Sequence, residues 1–271
     1  MAATLPELDT VNLRRGASNG AELRIELNRP ERMNAWDKQL GIDLLSAVEL
    51  AAGDASARVV TITGAGRAFS SGADLRAGFD ATAEGRPDVG AALRERYHPI
   101  ITGVRRMPKP VIAAVNGGAV GIGCSLALAC DVVVAAESAY LLLAFVNIGL
   151  VPDGGASVFV PARAGAGRAA EMAMLGERVP APVARVWGLV DRLASDETFA
   201  AEVDALAERL ATGPTRAYAA AKAQLNARVY AGLDEQLGLE ASLQEQMAAS
   251  GDFDEGVRAF LEKRPARFTG D

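Results

Sequence analysis

Two glycine-bearing stretches and one aspartate carry the chemistry this sequence could perform. Ala68-Phe69-Ser70-Ser71-Gly72-Ala73-Asp74 and Asn116-Gly117-Gly118-Ala119-Val120-Gly121-Ile122-Gly123 each follow a β-branched, apolar run by a few residues. Glycine lets the chain turn tightly and leaves N–H groups open to a ligand. In the second stretch the Ile122 N–H falls in the first turn of an apolar helix. Unpaired donors and a partial positive charge there suit an oxyanion. If the Ala73 N–H converges on the same point, two amides hold one developing negative charge. The same glycines also serve as plain strand-to-helix turns. Asp153, in Gly149-Leu150-Val151-Pro152-Asp153-Gly154-Gly155, follows the apolar run 141–151. An apolar wall raises a carboxyl pKa toward the range in which it works as a base near neutral pH. The other reading of Asp153 is an N-cap for a helix beginning near Gly154.

Other chemistries drop out. The single histidine, His98, leaves no His-containing metal cluster and removes most histidine triads; a polar contact or a helix end is its expected role. Neither GxxxxGK[ST] nor GxSxG occurs. Gly165–Ala170 matches GxGxxA but follows Pro161 and Arg163 rather than a buried strand, so it is expected to be a loop opening a helix. With 28 Lys and Arg against 34 Asp and Glu, the net charge of −6 argues against nucleic-acid binding. No apolar run approaches the ~18 residues of a membrane span, and MAATLPELDT has neither a basic nor an apolar leader region. Cys124 and Cys130 are expected to be reduced core residues. A cytoplasmic protein, neither secreted nor membrane-bound, is the expectation.

The elements that must position these residues follow from periodicity. Val11–Arg15 and Leu23–Leu27 alternate around a Gly16–Gly20 turn and predict a hairpin. Asp37 starts a helical pattern through Leu40, Leu44 and Val48. Arg58–Thr63, Val111–Val115 and Val132–Ala135 are buried strands, with a short apolar helix at Ile122–Ala129. Strand, glycine turn, helix and strand in that order predict an α/β core with parallel pairing. Residues 76–92, rich in Gly, Asp and Ala, predict a mobile loop. Beyond residue 195 the spacing turns helical, at Asp196–Leu210, Pro214–Val229, Leu233–Ala249 and Asp252–Lys263. The division is therefore an α/β core over 1–194 and a helical region over 195–271.

Several segments together resemble the crotonase (enoyl-CoA hydratase/isomerase) superfamily. They are Asn28-Arg29-Pro30, the stretch 68–74, Lys109–Gly117, Gly121-Ile122-Gly123-Cys124, Ala129-Cys130-Asp131, Gly149–Pro152 and Glu255–Arg264, covering nearly the whole chain in order. The resemblance implies a spiral of ββα turns with a helical C-terminal oligomerisation region, assembled as homotrimers or homohexamers. It implies an acyl-CoA thioester substrate, with coenzyme A entering as part of that substrate and no separate cofactor. The Ala73 and Ile122 N–H groups would hold the thioester oxygen as an enolate. Ile122 stands where relatives most often carry glycine, which narrows the pocket but keeps the donor.

The hydratases of this superfamily place two glutamates in the site; the matching positions here are Ser125 and Phe145, neither of which can move a proton near neutral pH. One carboxylate remains, Asp153. It falls on the catalytic aspartate of the ring-1,2-epoxyphenylacetyl-CoA isomerase branch, which the chain also resembles around Ala144–Gly155 and at its C-terminal segment. That implies an isomerase. An enoyl-CoA hydratase is the alternative, and a non-catalytic acyl-CoA-binding protein the alternative of another class. For binding, the resemblance points to Arg32 and Met33 near the adenine, and to Asp74, Leu75 and Arg76 after the first donor. Phe260 and Lys263 would reach the nucleotide end, often from a neighbouring subunit.

Overall fold

The computed structural model describes residues 5–16 and 20–271. Ten strands form two sheets among the described residues. The larger has the order β1 (Val11–Arg15), β2 (Glu22–Leu27), β3 (Val59–Gly64), β5 (Val111–Val115), β7 (Val132–Ala136), β10 (Arg192–Ala194). Only the β1–β2 pair is antiparallel. The smaller has the order β4 (Ala68–Ser70), β6 (Gly118–Val120), β8 (Tyr140–Leu142), β9 (Val179–Pro180). Each circuit of the chain lays one strand in the large sheet and the next in the small one: β3 then β4, β5 then β6, β7 then β8. This is the α/β spiral of ββα turns that the resemblance implied. The predicted hairpin forms, although residues 17–19 of its turn lie outside the described residues.

The helices are α1 (Lys38–Gly53), α2 (Val89–Ala92), α3 (His98–Arg106), α4 (Ile122–Ala129), α5 (Ala156–Ala164), α6 (Ala166–Leu175) and α7 (Ala181–Trp187). The C-terminal set is α8 (Phe199–Thr212), α9 (Thr215–Val229), α10 (Leu233–Ala248) and α11 (Gly251–Glu262). Asp37 caps α1, accepting from the Leu40 N–H at 2.8 Å. The GxGxxA segment opens α6 directly after α5. His98 begins α3, and burial together with Arg94 pushes its imidazole down to about 4.

The strands β3, β5 and β7 are near-continuous apolar runs because both faces of the sheet are covered. Val60, Ile62, Val111 and Ala113 face the main core, while Val59, Ile112, Ala114 and Val134 face Val203, Leu206 and Ala207 of α8. Alternate side chains of a strand point to opposite faces, which is how one run serves two layers. A buried ion cluster ties the helical region to this sheet. Asp131 accepts from the Val111 N–H and Lys222 at 2.8 Å and from Arg105 at 3.1 Å.

Two expectations need correction, and one sheet was not anticipated. Residues 76–92 are not loop throughout: helix begins at Val89, capped by Asp88, and continues through a π turn at Leu93–Tyr97 into α3. The first C-terminal helix starts at Phe199, because Asp196 is engaged with the Ser138 N–H and hydroxyl instead. The strands of the small sheet, two or three residues each, were too short to show a period.

Candidate active site

The two glycine-bearing segments leave adjacent parallel strands. β4 pairs with β6, Ala68 opposite Gly118 and Ser70 opposite Ala119, so the residues that follow emerge side by side. Gly72 and Gly121 have φ of 88° and 53°, a region only glycine enters cheaply. They stand against each other: a Cβ on Gly121 would lie 3.7 Å from the Gly72 Cα. The next residue on each segment is one of the two donors.

Each donor is free for a physical reason. The Trp36 N–H donates to the Gly72 carbonyl at 2.7 Å, and the Asp74 N–H donates to the Trp36 carbonyl at 2.9 Å. Pairing on both sides of Ala73 turns its own N–H to the opposite edge. Ile122 is the first residue of α4, where no carbonyl lies one turn back to receive its N–H. Neither N–H donates to a protein acceptor among the described residues. Asn34 braces the first segment, its amide donating to the Ala68 carbonyl at 2.8 Å and its carbonyl accepting from the Ser70 hydroxyl at 2.9 Å.

Asp153 is brought to the same place. The Ser125 hydroxyl, on the first turn of α4, donates to the Asp153 carbonyl at 2.7 Å. A Cβ on Gly154 would meet Ile122 Cδ1 at 2.4 Å and Ser125 Cβ at 3.0 Å, so the chain beside Asp153 presses on the helix that carries the second donor. The Asp153 side chain does not cap α5. That task falls to Glu240 of α10, whose carboxylate accepts from the Gly155 N–H at 2.8 Å and the Ser157 N–H at 3.1 Å. Asp153 Oδ2 instead accepts from Gln244 Nε2 at 2.8 Å, and Oδ1 is buried with no partner. Burial pushes the Asp153 carboxyl well above the usual carboxylate range; the charge of Glu240 adds to this and the Gln244 bond opposes it. A carboxyl of this kind, with one oxygen unclaimed, is equipped to take up and return a proton.

Aromatic residues adjoin both donor segments, Phe145 at Gly121 and Trp36 at Ala73. A Cβ on Gly121 would lie 3.8 Å from the Phe145 ring, and Tyr97 packs edge-on against Trp36 with centroids 5.0 Å apart. Phe145 and Ser125 are both buried. Leu75 is half-buried and Arg76 exposed beyond the first donor. The Asp74 carboxylate is already engaged, by Arg29 at 3.2 Å and by the Arg76 and Ala77 N–H groups. Exposed Arg32 and Met33 adjoin Ser71, whose N–H donates to the Met33 carbonyl at 2.9 Å. Phe260 lies on the last turn of α11 and Lys263 is its C-cap residue; both are exposed. Sequence reasoning did not find Glu240 and Gln244.

Comparison with known proteins bears on this arrangement. The family model described as enoyl-CoA hydratase/isomerase matches residues 18–271. The chain is 45% identical over 246 residues to a Rhodobacter capsulatus protein named a probable enoyl-CoA hydratase, covering 91% of this chain and 93% of that one. It is 40% identical over 249 residues to the 1,2-epoxyphenylacetyl-CoA isomerase of Escherichia coli, covering 92% and 95%. A crystal structure of an enoyl-CoA hydratase from Mycobacterium avium subsp. paratuberculosis superposes with a TM-score of 0.88 at 38% identity, covering 97% of this chain and all of that one. Two free amides on touching glycine turns, a buried acid beside them and a match over nearly all of the chain agree: the chain belongs to the enoyl-CoA hydratase/isomerase family.

Proposed function

We propose that the protein isomerises an enoyl-CoA thioester through an enolate, with Asp153 as the one acid/base. The ionised carboxylate takes a proton from the α-carbon, and the electron pair moves onto the thioester oxygen held by the Ala73 and Ile122 N–H groups. The same carboxyl returns the proton at the γ-carbon and the double bond shifts by one position. Proton departure and return on one face need a single base. An epoxidised ring would be handled by a related rearrangement, and likeness to the E. coli epoxide isomerase supports that substrate class.

The observation that carries this reading is the unpartnered, buried Asp153 Oδ1, beside the helix whose first N–H is free. The names of other relatives favour a hydratase. Against it stand Ser125 and Phe145, which offer no second carboxyl to activate water. The test uses cis-3-hexenoyl-CoA in heavy water: the native protein exchanges the α-proton, and Asp153→Asn abolishes exchange while binding persists. Unchanged exchange in that variant rules the reading out, and steady hydration of crotonyl-CoA at an enzymatic rate favours the hydratase. Saturable binding without turnover of any thioester would leave a non-catalytic binding protein. The same reading has the C-terminal helices joining copies into trimers or hexamers, supported by exposed Leu225, Leu239, Leu243 and Leu261.

A further inference from the structure

α10 lays three polar side chains, four residues apart, along the segment that carries Asp153. Gln236 Nε2 donates to the Ser157 hydroxyl at 3.0 Å, and that hydroxyl donates to Glu240 Oε1 at 2.5 Å. Glu240 also takes the Gly155 and Ser157 N–H groups. One turn on, Gln244 Nε2 donates to the Val151 carbonyl at 2.7 Å and to Asp153 Oδ2 at 2.8 Å. Glu240 is 2% exposed and Gln244 0%. Polar groups at such depth are costly unless they are bonded; the Glu240 carboxylate and the Gln244 Nε2 are bonded to the one segment that holds the acid, while the buried Gln244 Oε1 has no partner. Val151 and Asp153 flank Pro152, so the single Gln244 amide pins the turn on both sides of the proline.

Two consequences follow from where these groups stand. Gln244 claims only Oδ2, which leaves Oδ1 to carry the proton. Glu240, held by three donors, keeps the Gly155 and Ser157 N–H groups from drawing in the Asp153 carboxylate as a cap, and its carboxylate stands 2.8 Å from the Gly155 nitrogen, two residues beyond the acid. From the other elements, Ser125 of α4 engages only the Asp153 carbonyl. Tyr97 of the π turn lies near enough for Asp153 to raise its hydroxyl beyond the effect of burial, with Arg96 opposing and Asp37 and Asp74 adding. Among the described residues, Glu240 is the charged group that bears on the ionisation of Asp153 itself.

We propose that Gln244 and Glu240 are positioning residues for the reaction, Gln244 fixing which carboxyl oxygen of Asp153 works and Glu240 setting the pH at which that oxygen is free to accept a proton. This rests on the reading of Asp153 as the acid/base. Their effects on the acid oppose each other. The Gln244 bond favours the carboxylate, whereas the Glu240 charge disfavours it.

The experiment follows α-proton exchange of cis-3-hexenoyl-CoA across the acidic limb of the pH profile, using the full chain and the variants Gln244→Met and Glu240→Gln. Gln244→Met should slow exchange about tenfold or more, leave the thioester Kd within about twofold, and move the limb to higher pH. Glu240→Gln should move it to lower pH. General loosening of the site does not shift the limb in opposite directions. Limbs that stay put, or that move the same way, overturn the proposal. Should one variant not fold, the direction of the other decides; should neither fold, Gln244→Asn, which withdraws the amide from Oδ2 but keeps the polar group, must still move the limb to higher pH, and a limb that stays put overturns the proposal. If Asp153→Asn itself still exchanges, the underlying reading fails; if it is silent while the limbs stay fixed, only the role of α10 fails.

Discussion

Ile122 fills the space beside Gly154, its Cδ1 only 2.4 Å from where a Cβ on Gly154 would stand. The residue that offers the second amide and the residue next to the acid are thus in contact, and one cannot move without the other. Gly154→Ala, at a φ of 62°, should displace the Asp153 turn and slow α-proton exchange by more than about tenfold. Adding Ile122→Ala vacates the space and should restore part of the rate. Exchange measured on the single and double variants checks this; equal loss in both would mean that backbone strain alone is responsible.

The second donor can be deleted without breaking a helical hydrogen bond. Ile122 is the first residue of α4, a position where proline is tolerated because its N–H has no helical partner. Ile122→Pro should fold and lose about 10²–10³ in rate. Ile122→Ala, which keeps the N–H, should lose far less. Circular dichroism and exchange rates on the pair separate the amide from the side chain.

Stability should depend on pH through Asp153. Its folded pKa is raised, mainly by burial, so the folded state holds this proton more tightly than the unfolded chain does. The sign follows: the Asp153 contribution is full below the unfolded value of about 4 and is lost as pH rises through the folded value. Asp153→Asn removes that penalty while its amide oxygen can still accept from Gln244. It should raise the Tm at about pH 8 and leave it nearly unchanged at about pH 4. A Tm gain that grows on acidification would contradict this.

Asp131→Ala should be among the most damaging changes outside the site. It leaves Arg105 and Lys222, both buried, without their countercharge, although each keeps hydrogen bonds to other acceptors, and removes the acceptor of the Val111 N–H. Breaking such a cluster from one side costs about 3–5 kcal/mol. Urea unfolding measures it, and Lys222→Met in the same background should recover part of the loss.

Much of the large sheet was legible because its strands obey a simple rule. Val111–Val115 came out with the bounds that the sequence suggested, since an apolar run between Pro110 and the Asn116-Gly117-Gly118 turn admits few alternatives, and so did the short apolar helix Ile122–Ala129. The small sheet was not legible: Ala68–Ser70 and Gly118–Val120 are held by their neighbours rather than by their own pattern. The amides and Asp153 could be singled out by glycine spacing and resemblance, and the resemblance favoured acid over cap at Asp153. The group that takes the helix end in its place, Glu240, lies more than eighty positions away. One signal for α10 was available. Leu233, Leu237, Ala241 and Ala248 form its buried stripe, and Gln244 stands where that stripe calls for an apolar residue. A polar side chain in such a place needs a partner, and nothing local supplies one.

The grip of α10 on the turn at Asp153 also fixes an order of events on the ribosome. Both amides and the acid are translated well before residue 244, yet the bonds that steady the acid form only after that helix has emerged. A chain not yet extended through that helix would therefore carry the turn at Asp153 without the contacts that steady its carboxylate.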